Sequence, residues 1–281
     1  MKNTKRYTIF LAGVVIAVVL APSVAREIQG AGKLRIYFFN VGQGDAILIR
    51  TPHGEDIVID GGPDRTALAK LGSTLPFFDR DIELAVVTHP HADHLAGLLE
   101  IGKRYGLREV WESGFSVGND LEDAWNEQLR ARSIAARVVR AGEVVSRDGV
   151  RLEVLAPFPE NESNNPNDAS VVIRLVYGET EVLLTGDVTA AVEEKLLAEW
   201  GNGLDADILK VGHHGSRDGS SREFLRAVSP ETAVISVGEN RYGHPAFRTM
   251  KHLEEAGATV YRTDRDGDVE FWSDGKQFWK R

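Results

Sequence analysis

Apolar and polar positions along the chain fall into short runs of two kinds. Runs of four to eight apolar or alternating residues, bounded by Gly, Pro, Asn or Asp, predict strands at 33–40, 46–50, 56–60, 84–88, 108–111, 137–139, 150–156, 170–177, 181–185, 207–211, 232–237, 259–261, 269–272 and 277–279. Longer stretches with helical spacing predict helices at 94–104, 121–133, 190–200, 221–228 and 245–256. Ser220 or Ser221 is placed to cap the fourth of these. Pro245 stands in the first turn of the fifth, and Gly257 lies past its end. The first three strands are joined by tight turns, which predicts an antiparallel meander, and 170–185 reads as a hairpin around Gly178. Residues 157–168 form a polar loop rich in Pro, Asn and Glu. Antiparallel groups separated by helices predict an α/β fold of two packed sheets with helices outside, a four-layer αββα sandwich.

The first 25 residues follow another pattern. Lys2, Lys5 and Arg6 precede an unbroken apolar run at 9–21, and Ser23-Val24-Ala25 gives a small-x-small ending. That is the pattern of a signal peptide. The uncharged stretch 7–25 is also close to the length of a spanning helix, so an uncleaved membrane anchor is the competing expectation. Either way, the domain at 33–281, joined by a linker at 26–32, is expected on the extracytoplasmic side, secreted or anchored.

Composition narrows the chemistry. With 42% hydrophobic and 27% charged residues among 281, the chain is an ordinary globular protein. It has no cysteine, which excludes a disulfide-linked partner, thiolate metal sites and cysteine nucleophiles. Any metal must sit on His and carboxylate. Net charge is −9, and cleavage after Ala25 would take it to −12 by removing Lys2, Lys5 and Arg6. That balance opposes a polyanionic ligand at long range.

Thr88-His89-Pro90-His91-Ala92-Asp93-His94 ends an apolar strand and holds four metal-ligand side chains within six residues. Side chains two apart on an extended segment share a face, and Pro90 keeps His89 extended. His89 and His91 therefore converge on one ion, and Asp93 and His94, beyond the bend, face a second. Two neighbouring ions bridged by hydroxide would generate a nucleophile at neutral pH and clamp a phosphate.

HPHADH resembles the His-x-His-x-Asp-His motif of the metallo-β-lactamase superfamily. The chain is more narrowly similar to the extracytoplasmic hydrolase domain of ComEC-type competence proteins. The similarity runs through FFNVGQGDAILI (38–49), DGG (60–62), THPHADHLAGL (88–98), NDASVV (167–172), LLTGD (183–187), LKVGHHGS (209–216) and YGHP (242–245). The resemblance implies a metallo-β-lactamase-like sandwich holding two divalent ions, zinc or manganese. It implies that His89 and His91 ligate the first ion, Asp93 and His94 the second, and that Asp187 bridges both. His213 matches the later ligand of the second ion. Strand alternation allows only one of His213 and His214 to point inward, and His213 is preferred, with His214 left to substrate or packing. Asp60 matches an Asp that orients the His loop.

One departure stands out. No histidine occurs from 95 to 212, so the third histidine of many relatives' first site is missing. Asp168 is the candidate replacement, or Asn167 and Ser170 fix a water there. An oxygen-rich first site would be weak for zinc and favour Mn²⁺. His244 is expected to contact a substrate phosphate or give a proton to the leaving group. The backbone at Gly215-Ser216 could approach an anion. Arg217, Arg222, Arg226, Arg241 and Arg248 could guide a phosphate backbone, and His53 and His252 read as surface residues. The expected function is a metal-dependent phosphodiesterase or nuclease acting on extracellular DNA, with Asp93 and His244 in the catalytic roles. The alternatives are a cell-wall phosphodiesterase of the phosphocholine-esterase kind, a non-enzymatic metal-binding module, and a serine hydrolase using Ser116 in Gly114-x-Ser-x-Gly118.

Overall fold

The structure is a computed structural model that describes residues 30–159 and 163–281. The expected signal peptide or anchor, and the linker up to residue 29, lie outside these residues. The elements are β1 (Leu34–Phe38), β2 (Ile47–Arg50), β3 (Asp56–Ile59), α1 (Thr66–Thr74), β4 (Asp81–Ile82), β5 (Leu84–Val87), α2 (Ala92–Gly102), β6 (Gly106–Leu107), β7 (Val110–Glu112) and α3 (Asp120–Ala131). Then follow β8 (Ala136–Val138), β9 (Val144–Arg147), β10 (Val150–Ala156), β11 (Val172–Tyr177), β12 (Thr180–Leu184), α4 (Ala190–Trp200), β13 (Ile208–Lys210), α5 (Arg222–Val228), β14 (Thr232–Ile235), α6 (Phe247–Glu255), β15 (Thr259–Arg262), α7 (Thr263–Asp266), β16 (Val269–Ser273) and β17 (Phe278–Lys280).

Two sheets form the centre. The first runs β17-β16-β1-β2-β3-β5-β7-β8 and the second β15-β14-β13-β12-β11-β10-β9. The inner strands β1, β2, β3 and β5 are buried along their whole length because both faces of the sheet are covered there. Ile36, Ile49, Ile57 and Val86 of the first sheet meet Leu152, Ile173, Val182 and Val234 of the second in one buried core. The alternate residues Tyr37, Leu48, Val58 and Ala85 pack under α1, α2 and α3. Val172, Leu183, Leu209 and Ile235 do the same under α4, α5 and α6. This is the four-layer αββα sandwich that the sequence predicts.

The opening meander is antiparallel as expected, and β3, β5, β7 and β8 then run parallel. The two halves are not contiguous in sequence, because β16 returns to pair with β1. Ser221 caps α5, its side chain accepting from the Phe224 N–H. Two expectations need correction, and one helix goes unpredicted. Pro245 is not in the first turn of α6: Ala246 is the N-cap and the helix begins at Phe247. His252 is 5% exposed, not a surface residue, and its Nδ1 bonds the Ser220 carbonyl oxygen at 2.8 Å. Helix α1 escapes the hydrophobic pattern because only Ala67 and Leu71 are buried in it.

Candidate metal centre

Loops after β3 and β5 of the first sheet meet loops after β12, β13 and β14 of the second, at one end of the sandwich. Ligand sites of open α/β sheets gather at such carboxyl ends. The His loop is held there by a close backbone approach. A Cβ on Gly97 would lie 1.7 Å from the Gly61 carbonyl oxygen, and one on Gly61 would lie 2.2 Å from the Leu98 nitrogen. Two hydrogen bonds close this contact, Gly61 N–H to the His94 carbonyl at 2.7 Å and Gly97 N–H to the Gly62 carbonyl at 2.9 Å.

Asp60, fully buried, fastens the loop. Its Oδ1 accepts from the Thr88 N–H (2.9 Å), and its Oδ2 from Thr88 Oγ1 (2.7 Å) and His94 Nδ1 (2.7 Å). The last bond directs His94 Nε2 inward, toward Asp187 Oδ2 at 3.3 Å. His214 Nε2 stands 3.3 Å from the same oxygen and 3.4 Å from Asp93 Oδ2. The other ring nitrogen of His214 is held by the Ser236 carbonyl at 2.9 Å. His89 Nε2 lies 3.9 Å from Asp187 Oδ2 and 3.0 Å from His91 Nδ1. Asp93, His94 and His214 thus form one compact ligand group, and His89, His94 and Asp187 form a second that overlaps it, with His91 beside His89.

The preference for His213 over His214 does not match this geometry. His213 and His214 do not continue a strand: their φ angles are 48° and 53°, both left-handed, in a 3-10 turn over Gly212–Gly215. Non-glycine residues in this region are strained, and such strain gathers at functional sites. The turn sends His214 into the cluster. His213 instead borders the cleft, 3.4 Å from Asn167 Nδ2 and with its ring 5.4 Å from that of His244.

Asp168 is not brought to the ligand groups either. Its carboxylate accepts from Thr189 Oγ1 and Ser163 Oγ, both at 2.6 Å. Asn167 and Ser170 do face the centre. Ser170 Oγ accepts from the Asp187 N–H at 3.1 Å and stands 3.5 Å from His89 Nδ1. Ser216 is turned away, its hydroxyl accepting from the Asp218 N–H, and its own N–H is bonded to the His213 carbonyl rather than open to an anion. Ser116 is exposed on the loop before α3, and no hydrogen bond joins it to a histidine or carboxylate among the described residues. His53 is a surface residue, paired with Asp148 at 2.6 Å.

Two functional candidates were missed by sequence reasoning. Asp45 lies within hydrogen-bonding or ligand range of Asp187 and His214 on one side and Asp60 and His94 on the other. Lys210, fully buried at the end of β13, is paired with Asp45. A lysine inside the apolar run Ile208-Leu209-Lys210-Val211 was the available signal. Gln43 and Tyr242 complete a cleft of about 400 Å³ lined also by His91, Asp93, Asp187, His213, His214 and His244.

The electrostatics divide the histidines. Burial pushes His89 and His91 down, so they are neutral at pH 7 and ready to coordinate. Burial acts the same way on His94 and His214, but Asp187 and its neighbours overrule it, holding His94 well above its ordinary value and His214 up to about 9. Burial, with the charge of His213, pushes His244 down to about 4. It is neutral at pH 7 and has no proton to give a leaving group before substrate binds.

His94 Nε2, His214 Nε2 and Asp45 Oδ1 are buried without a hydrogen-bond partner. Such orphans are costly unless something fills the space between them. Imidazole nitrogen and carboxylate oxygen converging without thiolate is a donor set that suits a borderline or hard divalent ion. The residues present therefore fit a metal.

Comparison with known proteins agrees. A family model described as the metallo-beta-lactamase superfamily matches residues 39–239. ComE operon protein 3 of Bacillus subtilis is 28% identical over 251 residues, covering 83% of this chain and 32% of its own length. Competence protein ComA of Neisseria gonorrhoeae is 32% identical over 238 residues, covering 83% and 31%. The chain spans about a third of the length of these curated relatives. Among solved structures, the metallo-beta-lactamase fold protein YhfI from Bacillus subtilis matches with a TM-score of 0.58 at 12% identity, covering 86% of this chain and 99% of that one. Fold, ligand cluster and family match agree: the chain belongs to the metallo-beta-lactamase superfamily.

Proposed function

We propose that the protein is a metal-dependent phosphodiesterase that acts outside the cytoplasm, with DNA as the leading substrate. The observation that carries this reading is the convergence of His94 Nε2 and His214 Nε2 on Asp187 Oδ2, each at 3.3 Å, at the floor of an open cleft. Asp93, His94, His214 and Asp187 would hold one ion, and His89, His91 and Asp187 the other. Divalent ions so held would supply Lewis acidity to a phosphoryl oxygen and make water acidic enough to attack at neutral pH.

The chain's own residues do the rest. Asp60 and the Ser236 carbonyl hold His94 and His214 in the tautomer that turns Nε2 inward. Neutral His244 and the Gln43 side chain line the cleft where a substrate phosphate and its leaving group would lie. Arg217, Arg241 and Arg248 are exposed, close in sequence to the cleft residues His214, Tyr242 and His244, and free of carboxylate partners among the described residues, which suits a polyanion. Arg222 and Arg226 do not share this role, since Glu255 and Glu223 pair with them. With Asp168 elsewhere, the first ion position has two histidines and a shared carboxylate, a donor set that zinc and manganese both accept.

Tyr242, 76% exposed at the cleft edge, favours one second reading. Its face could take a quaternary ammonium, as in a phosphocholine ester of the cell wall. Metal-depleted protein should be reloaded with Mn²⁺ or Zn²⁺ and offered a DNA oligonucleotide, p-nitrophenyl phosphocholine and nitrocefin. The proposal expects metal-dependent cleavage of the oligonucleotide. Preference for the choline ester would select the second reading, and turnover of nitrocefin alone would refute both.

A further inference from the structure

Lys210 takes no part in the chemistry described above, yet it is among the largest fully buried side chains in the protein. A buried ammonium is costly unless nearby charge offsets it. Here two carboxylates do. Nζ is ion-paired with Asp45, donates to the Gly186 carbonyl at 2.7 Å and stands 3.5 Å from Asp187 Oδ1, within ion-pair range.

This arrangement divides Asp187. Oδ1 faces Lys210, whereas Oδ2 faces His94, His214 and His89. Asp45 is divided as well, with Oδ2 against Lys210 and Oδ1 3.6 Å from His214 Nδ1. Without Lys210, Asp45 and both oxygens of Asp187 would be open to a cation, since Asp45, Asp187 and His214 already lie within ligand range of one another.

We infer that Lys210 is a positioning residue for the metal centre: an internal cation that pairs with Asp45 and Asp187 Oδ1, so that Asp187 Oδ2 is the oxygen turned toward His89, His94 and His214. The inference rests on the metal-centre reading given above. Lys210 opposes the ions electrostatically and so keeps their affinity below what the surrounding carboxylates alone would give. Asp45 acts in the reverse sense, by neutralising Lys210.

The two roles predict opposite signs. Lys210→Met should tighten Mn²⁺ binding by at least about tenfold, because removing one unit charge a few ångströms from the ions favours them. Asp45→Asn should weaken it by about tenfold or more, because the Lys210 charge then faces the ions unbalanced. A merely structural lysine would give the reverse result for Lys210→Met, since a loosened site binds metal less well. Mn²⁺ affinity is read by competition with a fluorescent chelator, using the full chain. If Lys210→Met does not fold, Asp45→Asn reads the same charge relation. Binding by Lys210→Met that is weaker than the parent's, or an Asp45→Asn affinity within threefold of the parent's, overturns the inference. A parent that binds no Mn²⁺ or Zn²⁺ would overturn the metal centre itself, and Lys210's role with it, whereas a parent that binds metal beside unresponsive variants overturns Lys210's role alone.

Discussion

Asp60→Asn is the sharpest perturbation of the centre because it changes almost no volume. Asp60 sits at φ 57°, a left-handed conformation that asparagine tolerates, so the backbone need not move. The carboxylate accepts three hydrogen bonds, at 2.9, 2.7 and 2.7 Å. An amide has one accepting oxygen and one donating nitrogen. If the amide oxygen keeps the Thr88 N–H, the nitrogen faces Thr88 Oγ1, which can rotate to accept, and His94 Nδ1. His94 must then accept at Nδ1 and carry its proton on Nε2, the atom aimed at Asp187. If the amide flips, the buried Thr88 N–H meets another donor instead. The second outcome costs about 1–3 kcal/mol, because the buried Thr88 N–H is left unsatisfied. The first removes a metal-binding nitrogen, and losses of such supporting bonds typically weaken metal affinity about 10- to 100-fold. Chelator competition gives the affinity, urea denaturation the stability, and ¹⁵N shifts of His94 the tautomer. A variant as stable in urea as the parent, that also binds metal within about threefold of it with His94 still protonated at Nδ1, would refute the reasoning.

Metal uptake should release protons, because Asp187 and its neighbours hold His94 and His214 protonated at pH 7 in the metal-free protein. The sign follows directly: protons and metal compete for the same nitrogens, so apparent affinity rises with pH until His214 loses its proton near 9. Calorimetry in buffers of different ionisation enthalpy measures the release, and none at pH 7 would contradict the assignment. Gly97→Ala should destabilise the fold by about 3 kcal/mol or more, since its Cβ would sit 1.7 Å from a backbone oxygen that cannot give way. A denaturation midpoint equal to the parent's would show that α2 and the Asp60–Gly62 turn can separate freely. Ser116→Ala should leave hydrolysis unchanged, whereas a hundredfold loss would revive the serine mechanism.

The sequence was most legible where pattern and packing coincide. Helix 190–200 and strand 150–156 match the structure residue for residue, because their apolar periods are unbroken between clear turns. The HPHADH loop was legible because its geometry is local: one extended segment followed by a helix N-terminus. His214 was not, because a left-handed turn replaces strand alternation there, and nothing in Gly-His-His-Gly announces two consecutive positive φ angles. Asp168 was misplaced for a related reason. A carboxylate in a polar loop serves either a metal or nearby hydroxyls, and only the fold shows that Thr189 and Ser163 reach it. Asp45 and Lys210 lie in stretches that carried the family resemblance, but their pairing spans the two sheets and is invisible to any local pattern.

Whether the His/Asp cluster is a hydrolytic metal centre is decided by hydrolysis of bis(p-nitrophenyl) phosphate by Mn²⁺-loaded protein, beside an Asp93→Ala/His94→Ala double variant. Both residues belong to the compact ligand group, and His94 also carries the Asp60 bond. Metal-dependent turnover by the parent and a loss of about a thousandfold or more in the double variant are expected. A double variant as active as the parent, or parent activity that survives complete chelation, would contradict that assignment.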